Sequence, residues 1–196
     1  LTGIWFNRVN YPTVKGFTIQ TQYRHIRCLN TTGATFENCR IVGDLYNGPG
    51  IGALFNQSTD WELKGCEFAS IQNFLTATAS SPLPKAGPRG GPKIDDCSFI
   101  KTLQYPIVGV IIQQWDLTVT DSSFATLSAG VTALQLGANA VNAKVKNCEF
   151  SQSKYGIEWI QGFNISVQGS VFRDMSNYAV YGTYLSNIDF INNVMV

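Results

Sequence analysis

Charged residues are scarce in this chain, and neither sign dominates. Only 14% of the 196 residues are charged, and 14 basic residues stand against 13 acidic ones. An average chain carries about 25% charged residues, and a nucleic-acid-binding surface normally shows as a marked basic excess. No run approaches the roughly 18 consecutive apolar residues of a membrane span. The sequence therefore predicts neither nucleic-acid binding nor membrane insertion.

Motifs for metals, nucleotides and common hydrolases are absent as well. The chain has a single histidine, His25, and its five cysteines show no CxxC spacing, so no zinc site is predicted. P-loop, GxSxG, HExxH and EF-hand patterns do not occur. We expect no cofactor and no bound metal.

What the sequence does contain is a repeat of eight six-residue segments. They are VKGFTI (14–19), FENCRI (36–41), LKGCEF (63–68), IDDCSF (94–99), VTDSSF (119–124), VKNCEF (145–150), VQGSVF (167–172) and FINNVM (190–195). Their fourth residues are separated by 22, 27, 31, 25, 26, 22 and 23 residues. A period of this size without helical periodicity indicates a solenoid.

Two columns of the repeat predict turns. The third residue of each segment is Gly, Asn or Asp, the residue types that tolerate a positive φ. The same types stand three residues before each segment, with Tyr11 as the exception. The first column contains Gly16, Asn38, Gly65, Asp96, Asp121, Asn147, Gly169 and Asn192, and the second contains Tyr11, Gly33, Asp60, Gly91, Asp116, Asn142, Asn164 and Asn187.

A third segment completes each rung, as in GIWF (3–6), GIEW (156–159) and AVYG (179–182). Period-2 alternation places Val145, Cys148 and Phe150 inward, and the lysines beside Val145 outward. We therefore expect an all-β chain of about eight three-strand rungs, stacked in parallel about 4.8 Å apart and roughly 40 Å long.

The NCxF and YGI phrases, as in NCEFSQSKYGIEW (147–159), resemble the rungs of right-handed parallel β-helices of the pectate-lyase-like superfamily. The resemblance covers nearly the whole chain and implies one β-helix segment over residues 1–196. Within that superfamily the chain is most similar to the shafts of bacteriophage tail spikes. Because residue 1 is not Met, and the chain starts and stops inside a strand, we expect flanking virion or tail domains.

Insertions into the rungs mark candidate binding loops. The Pro/Gly-rich segment 76–92 predicts an exposed arm or lid, or simply a tolerated surface loop. Asp44, Tyr46 and Asn47 in insertion 42–50, with Tyr105 in insertion 101–106, combine aromatic faces with amides and are predicted to bind glycan. The alternative is that they are ordinary turn residues.

One outward column of the third strand is half apolar, which favours burial against a neighbour. Its predicted members are Trp5, Arg27, Leu54, Leu75, Ile111, Thr132, Glu158 and Tyr181. A homotrimer of side-by-side β-helices would bury it, and so would a loop folded back over the face.

The cysteines are predicted to be buried free thiols. Cys39, Cys66, Cys97 and Cys148 share one inward column with Phe17, Ser122, Ser170 and Asn193, and Cys28 points inward from the third strand. Unpaired thiols favour folding in a reducing host cytoplasm rather than an oxidising secretory compartment. This argues against a secreted lyase and for a virion protein.

Candidate catalytic acids are few, because most acidic residues fill turn columns. Glu67 and Asp95 lie beside the longest insertion and are the predicted acid and base of a glycan depolymerase. The alternative is that each makes a cross-rung pair, Glu67 with Arg40 and Asp95 with Lys64.

These observations predict a bacteriophage tail-spike-like β-helix in the virion tail that binds bacterial surface polysaccharide and can depolymerise it. Two alternatives stay open. One is a cellular polysaccharide lyase or hydrolase of the same superfamily, and the other is a structural virion shaft without a ligand.

Overall fold

Short strands alternate with residues of positive φ along the chain and wind it into a right-handed parallel β-helix. The computed structural model describes residues 2–21, 24–43, 50–78, 90–100, 108–137 and 140–196. Within these ranges every strand pairing is parallel, and the strands form three faces of eight strands each. Seven turns thus separate the first rung from the last, and the predicted fold is confirmed.

Each rung contributes one strand to each face. Face 1 contains β1 (Thr2–Asn7), β4 (Arg24–Leu29), β7 (Ile51–Asn56), β10 (Asn73–Thr78), β13 (Val108–Ile112), the second halves of β15 (Ser123–Leu136) and β18 (Glu149–Trp159), and β21 (Tyr178–Gly182). Face 2 contains β2 (Thr13–Lys15), β5 (Thr35–Glu37), β8 (Glu62–Lys64), β11 (Lys93–Asp95), β14 (Thr118–Thr120), β17 (Lys144–Lys146), β19 (Gly162–Gln168), which also pairs with the short β16 (Ala140–Val141), and β22 (Leu185–Ile191). Face 3 contains β3 (Thr18–Thr21), β6 (Arg40–Gly43), β9 (Glu67–Ala69), β12 (Ser98–Ile100), the first halves of β15 and β18, β20 (Val171–Arg173) and β23 (Val194–Met195).

The register of these strands confirms the repeat. Val14 pairs with Phe36, Phe36 with Leu63, and the same column continues to Phe190. All sixteen residues of the two predicted turn columns have positive φ, from 50° at Asp121 to 95° at Gly91, and Tyr11 is among them at 56°. A Cβ on Gly33 would collide with the Tyr11 ring. The tyrosine at this position of the first rung therefore explains why the second rung has glycine there.

Two further turn columns were not predicted. Arg8, Asn30, Gln57 and Tyr184 follow face 1 strands with positive φ, and Ser70, Gln152 and Asp174 do so after face 3 strands. Arg, Gln, Tyr and Ser have no general preference for this conformation, so the composition of these positions gives no signal.

The core consists of inward columns stacked along the axis. Val145, Cys148 and Phe150 are buried and the flanking lysines are exposed, as predicted. Five phenylalanine rings stack with centroids 4.8 to 5.0 Å apart and interplanar angles of 18° or less. They are Phe68, Phe99, Phe124, Phe150 and Phe172. The ring spacing matches the rung spacing, because each ring occupies the same position of its rung.

The second turn column forms a hydrogen-bonded ladder outside the core. Asn187 Nδ2 donates to Asn164 Oδ1 at 2.9 Å, and Asn164 Nδ2 donates to Asn142 Oδ1 at 2.7 Å. Asn142 Nδ2 in turn donates to Asp116 Oδ1 at 2.8 Å. The turn residue thus supplies both the positive φ and a bond to the next rung.

The cysteine column joins the rungs from inside. All five cysteines are free and buried, as predicted. Cys66 N donates to Cys97 Sγ at 3.4 Å, Cys97 N to Ser122 Oγ at 3.0 Å, and Cys148 N to Ser170 Oγ at 3.1 Å. The column therefore accepts backbone N–H groups that point into the solenoid at the corner. Phe17 lies level with Cys39 in this column, as predicted, and is 59% exposed in the first described rung.

The longest insertion begins later than expected. Thr76 and Ala77 continue β10 because they pair with Leu54 and Phe55 of β7, and residues 79–89 lie outside the described part of the chain. None of the described residues belongs to a helix that could cross a membrane.

The asparagine ladder predicts a graded loss of stability at Asn164. We expect Asn164→Gly to lower the free energy of unfolding by about 1–2 kcal/mol, because it keeps the positive φ but loses two hydrogen bonds. Asn164→Ala should cost about 1 kcal/mol more, because a Cβ without a local hydrogen bond is strained at this φ. Urea unfolding measures both variants, and equal losses would contradict the strain argument.

The buried thiols predict a loss of stability at high pH. Burial raises the pKa of Cys28 to about 12 and that of Cys148 to about 11, from an ordinary 9.0. Above pH 9 the unfolded chain releases protons that the folded chain retains, so stability is full below pH 9 and falls as pH rises towards 11 and 12. Each titrating thiol should contribute a slope of about 1.4 kcal/mol per pH unit.

Cys148→Ser is the matched control, since serine occupies the same column at Ser122 and Ser170. Urea unfolding between pH 8 and 11 should give a shallower slope for this variant than for the parent chain. Identical slopes would show that Cys148 does not retain its proton in the folded state.

Candidate functional site

The two predicted catalytic acids lie on different faces, and each contacts a neighbouring rung. Glu67 begins β9 on face 3, where Arg40 Nε lies 2.9 Å from Glu67 Oε1. Asp95 ends β11 on face 2, opposite Lys64 in register, and its Oδ1 accepts a hydrogen bond of 2.5 Å from Thr120 Oγ1. The Arg40–Glu67 pair is thus confirmed, and the catalytic role of the two acids stays a prediction.

The predicted glycan-binding residues Asp44, Tyr46, Asn47 and Tyr105 lie outside the described residues. The base of the 44–49 segment is described, and the buried His25 holds it. His25 Nε2 lies 2.7 Å from the Val42 carbonyl oxygen, and Nδ1 lies 3.3 Å from that of Ile51. One side chain of rung 2 therefore contacts both strand ends that flank the segment.

Face 1 presents two outward columns, because β4, β7 and β10 each bury two consecutive residues in the middle of the strand. Column 2 contains Trp5, Arg27, Leu54, Thr76, Ile111, Gln135, Glu158 and Tyr181. Column 1 contains, among others, Arg24, Ile51, Asn73, Tyr155 and Tyr178, together with Thr132, which is buried.

Two predicted members of the outward column were wrong. Leu75 is fully buried and Thr76 takes its place, because Phe74 and Leu75 both point inward and interrupt the alternation. Gln135 takes the place of Thr132, because a register irregularity between Ala125 and Thr132 shifts the strand. The other six assignments are correct.

Three tyrosines of the last two rungs stack on face 1. The Tyr155 and Tyr181 ring centroids are 5.1 Å apart with an interplanar angle of 15°, and Tyr178 lies 6.0 to 6.1 Å from both. Tyr178 is 54% exposed and Tyr181 is 38% exposed, so ring surface remains open to solvent. Lys154 Nζ lies 4.8 Å from the Tyr155 centroid, which adds a cation–π contact.

A carboxylate is fixed beside these rings. Glu158 Oε2 accepts hydrogen bonds from Thr132 Oγ1 at 3.1 Å and from Gln135 Nε2 at 2.9 Å. Oε1 has no such partner among the described residues and keeps its capacity to accept. We call Thr132, Gln135, Tyr155, Glu158, Tyr178 and Tyr181 the tyrosine–glutamate cluster.

This cluster offers partly exposed aromatic ring surface next to an oriented hydrogen-bond acceptor. A sugar ring has the complementary shape, with C–H groups on its faces and hydroxyl donors at its edge. Within the described ranges no group of three or more His, Cys, Asp or Glu side chains is arranged to hold a metal ion. The geometry suits carbohydrate binding.

The sequence pattern placed Glu158 in its outward column but predicted no neighbouring residues that would form a site with it. The signal that could have found the cluster is a pattern repeated one rung apart, YGIE at 155–158 and YAVY at 178–181. Alignment of these two phrases places tyrosine over tyrosine and Glu158 beside Tyr181.

The chain matches no protein-family model and no curated protein. Among solved structures it is similar to the A-module of the mannuronan C-5 epimerase AlgE6 from Azotobacter vinelandii, with a TM-score of 0.63 and 15% identity over 95% of this chain and 58% of that one. The AlgE4 A-module of the same organism gives a TM-score of 0.48 and 11% identity over 93% of this chain and 62% of that one. The chain thus spans about three fifths of the length of these modules, and the first similarity shows a shared fold.

Proposed function

We propose that this chain binds a polysaccharide along face 1, with the tyrosine–glutamate cluster as its main contact. The observation that carries the proposal is the cluster itself: three near-parallel tyrosine rings beside a carboxylate held by two hydrogen bonds. β15 and β18, which carry Gln135, Tyr155 and Glu158, are hydrogen-bonded to strands on both sides, and β21, which carries Tyr178 and Tyr181, is hydrogen-bonded to β18. The contact groups are thus held on a sheet.

Fold similarity supports the choice of ligand class. The AlgE6 module is named for an action on mannuronan, a polysaccharide, and shares the β-helix with this chain. A long polymer suits a solenoid, because equivalent positions recur about every 4.8 Å along the face.

Calorimetric titration with a panel of bacterial surface polysaccharides tests the proposal. We expect Tyr181→Ala and Glu158→Gln each to weaken binding about tenfold, equivalent to about 1.4 kcal/mol, through lost ring contact and a lost charged acceptor. Tyr184→Ala is the matched control, since Tyr184 is 87% exposed and outside the cluster. Failure of every polysaccharide to bind would refute the ligand class, and unchanged affinity in both cluster variants would refute the site.

Depolymerase activity is a second candidate function, and it rests on the predicted acids beside the longest insertion. Released oligosaccharide, measured in the same mixtures, separates binding from cleavage. If products form, Glu67→Gln and Asp95→Asn should each abolish their release. Full activity in both variants would show that Glu67 and Asp95 are not the catalytic pair.

We also propose that the chain belongs to a virion tail spike that folds in a reducing cytoplasm. Five free and buried cysteines support the compartment. A homotrimer packed on face 1 is an alternative to ligand binding there, because a neighbouring copy would cover Trp5 and Tyr181, which are 58% and 38% exposed on column 2. Light scattering should then give three times the chain mass, and a monomer at micromolar concentration would contradict the trimer.

A further inference from the structure

The opposite end of face 1 carries two arginines without an acidic partner among the described residues. Arg24 and Arg27 lie on β4, in columns 1 and 2 of the second rung. The ion pairs of the described residues are Lys15–Glu37, Arg40–Glu67 and Arg173–Glu149, and all of them lie on faces 2 and 3. The described outward side chains around the two arginines in rungs 1 to 5 are uncharged: Trp5, Ile51, Leu54, Asn73, Thr76 and Ile111.

Arg27 is held in place by an aromatic ring rather than by a carboxylate. Its Cζ lies 5.4 Å from the centroid of Trp5, which is 58% exposed. The Arg27 Nε atom is buried and has no hydrogen-bond partner in the described part of the chain. A guanidinium without an acidic partner among the described side chains binds a carboxylate or sulfate strongly, because its terminal N–H donors match two oxygens.

The two ends of face 1 therefore select different chemistry. Arg27 and Glu158 share column 2 and lie five rungs apart, which corresponds to about 24 Å. Glu158 repels an anionic group, and Lys154 is not within ion-pair distance of it. An acidic group thus fits the arginine end, and uncharged rings with hydroxyl groups fit the tyrosine end.

We propose that Arg24, Arg27 and Trp5 form an anion-binding subsite, and that the polysaccharide bound by face 1 is a heteropolymer of acidic and neutral sugars. This rests on the proposed binding function and names its substrate class. The acidic group is a carboxylate or a sulfate on a sugar, and a ligand that reaches both ends spans about five rungs.

Titration with four polymers tests the substrate class. They are dextran, which is neutral, polygalacturonate, which is acidic at every residue, and two alternating polymers, hyaluronan with carboxylates and chondroitin sulfate with added sulfate. We expect the alternating polymers to bind most tightly, and to weaken when NaCl rises from about 20 to about 500 mM. The stronger of the two identifies the anion.

Variants then locate the subsite. Arg27→Gln should weaken binding of the alternating polymers about tenfold and leave dextran unchanged. Arg27→Lys keeps the charge and should still weaken binding, because the planar fork is lost. Lys144→Gln on face 2 removes the same charge from an exposed position and should have no effect.

The outcomes separate this proposal from the one on which it depends. Tightest binding to dextran, or no effect of Arg27→Gln, would overturn the anion subsite while polysaccharide binding stands. Tightest binding to polygalacturonate would overturn the heteropolymer. No binding to any of the four polymers would count against both proposals.

Discussion

In-register hydrogen bonding between successive rungs is the constraint on which the rest of this structure depends. A parallel strand satisfies its backbone on the strands of the rungs above and below, so every residue lies over its equivalent one rung away. Like residues then form continuous columns. The phenylalanine stack, the asparagine ladder and the Cys/Ser column all follow from this one requirement.

The same constraint decided how much could be predicted from the sequence. Columns that accept only a few residue types could be predicted from the sequence. Examples are the apolar column Val14–Phe36–Leu63 inside the core and the column Asn142–Asn164–Asn187 at the turn. The turns at Arg8 and Gln57 could not be predicted, because the positive φ at these positions is set by the neighbouring rungs and not by residue type. Face 1 was misread at Leu75 and Thr132, where two consecutive inward residues and a register irregularity break the period of two.

For the cysteine column, the sequence predicted burial but not the hydrogen-bonding role. Burial was evident from their column, but their alternation with Ser122 and Ser170 has a second cause. At this corner an N–H group points into the solenoid and needs an acceptor, which Cys97 Sγ and Ser122 Oγ provide to the rung before them. A small side chain with a lone pair is therefore required, and an aliphatic residue of the same size would leave a buried donor unsatisfied.

The candidate site was hard to predict for the opposite reason, since only Tyr155 and Tyr178 repeat in it, whereas Glu158 has no equivalent acidic residue one rung away. Glu158 is a single acidic residue in column 2, whose other members include tryptophan, arginine and leucine. Stacking of like residues therefore does not account for it. The ion pairs of the described residues all lie on faces 2 and 3, whereas Arg27 and Glu158 on face 1 contact uncharged side chains. Column 2 departs from the repeat, and none of the ion pairs of the described residues lies in it. Its side chains therefore contribute little to the stacking of rungs, so selection for a ligand can act on them without disturbing the rungs.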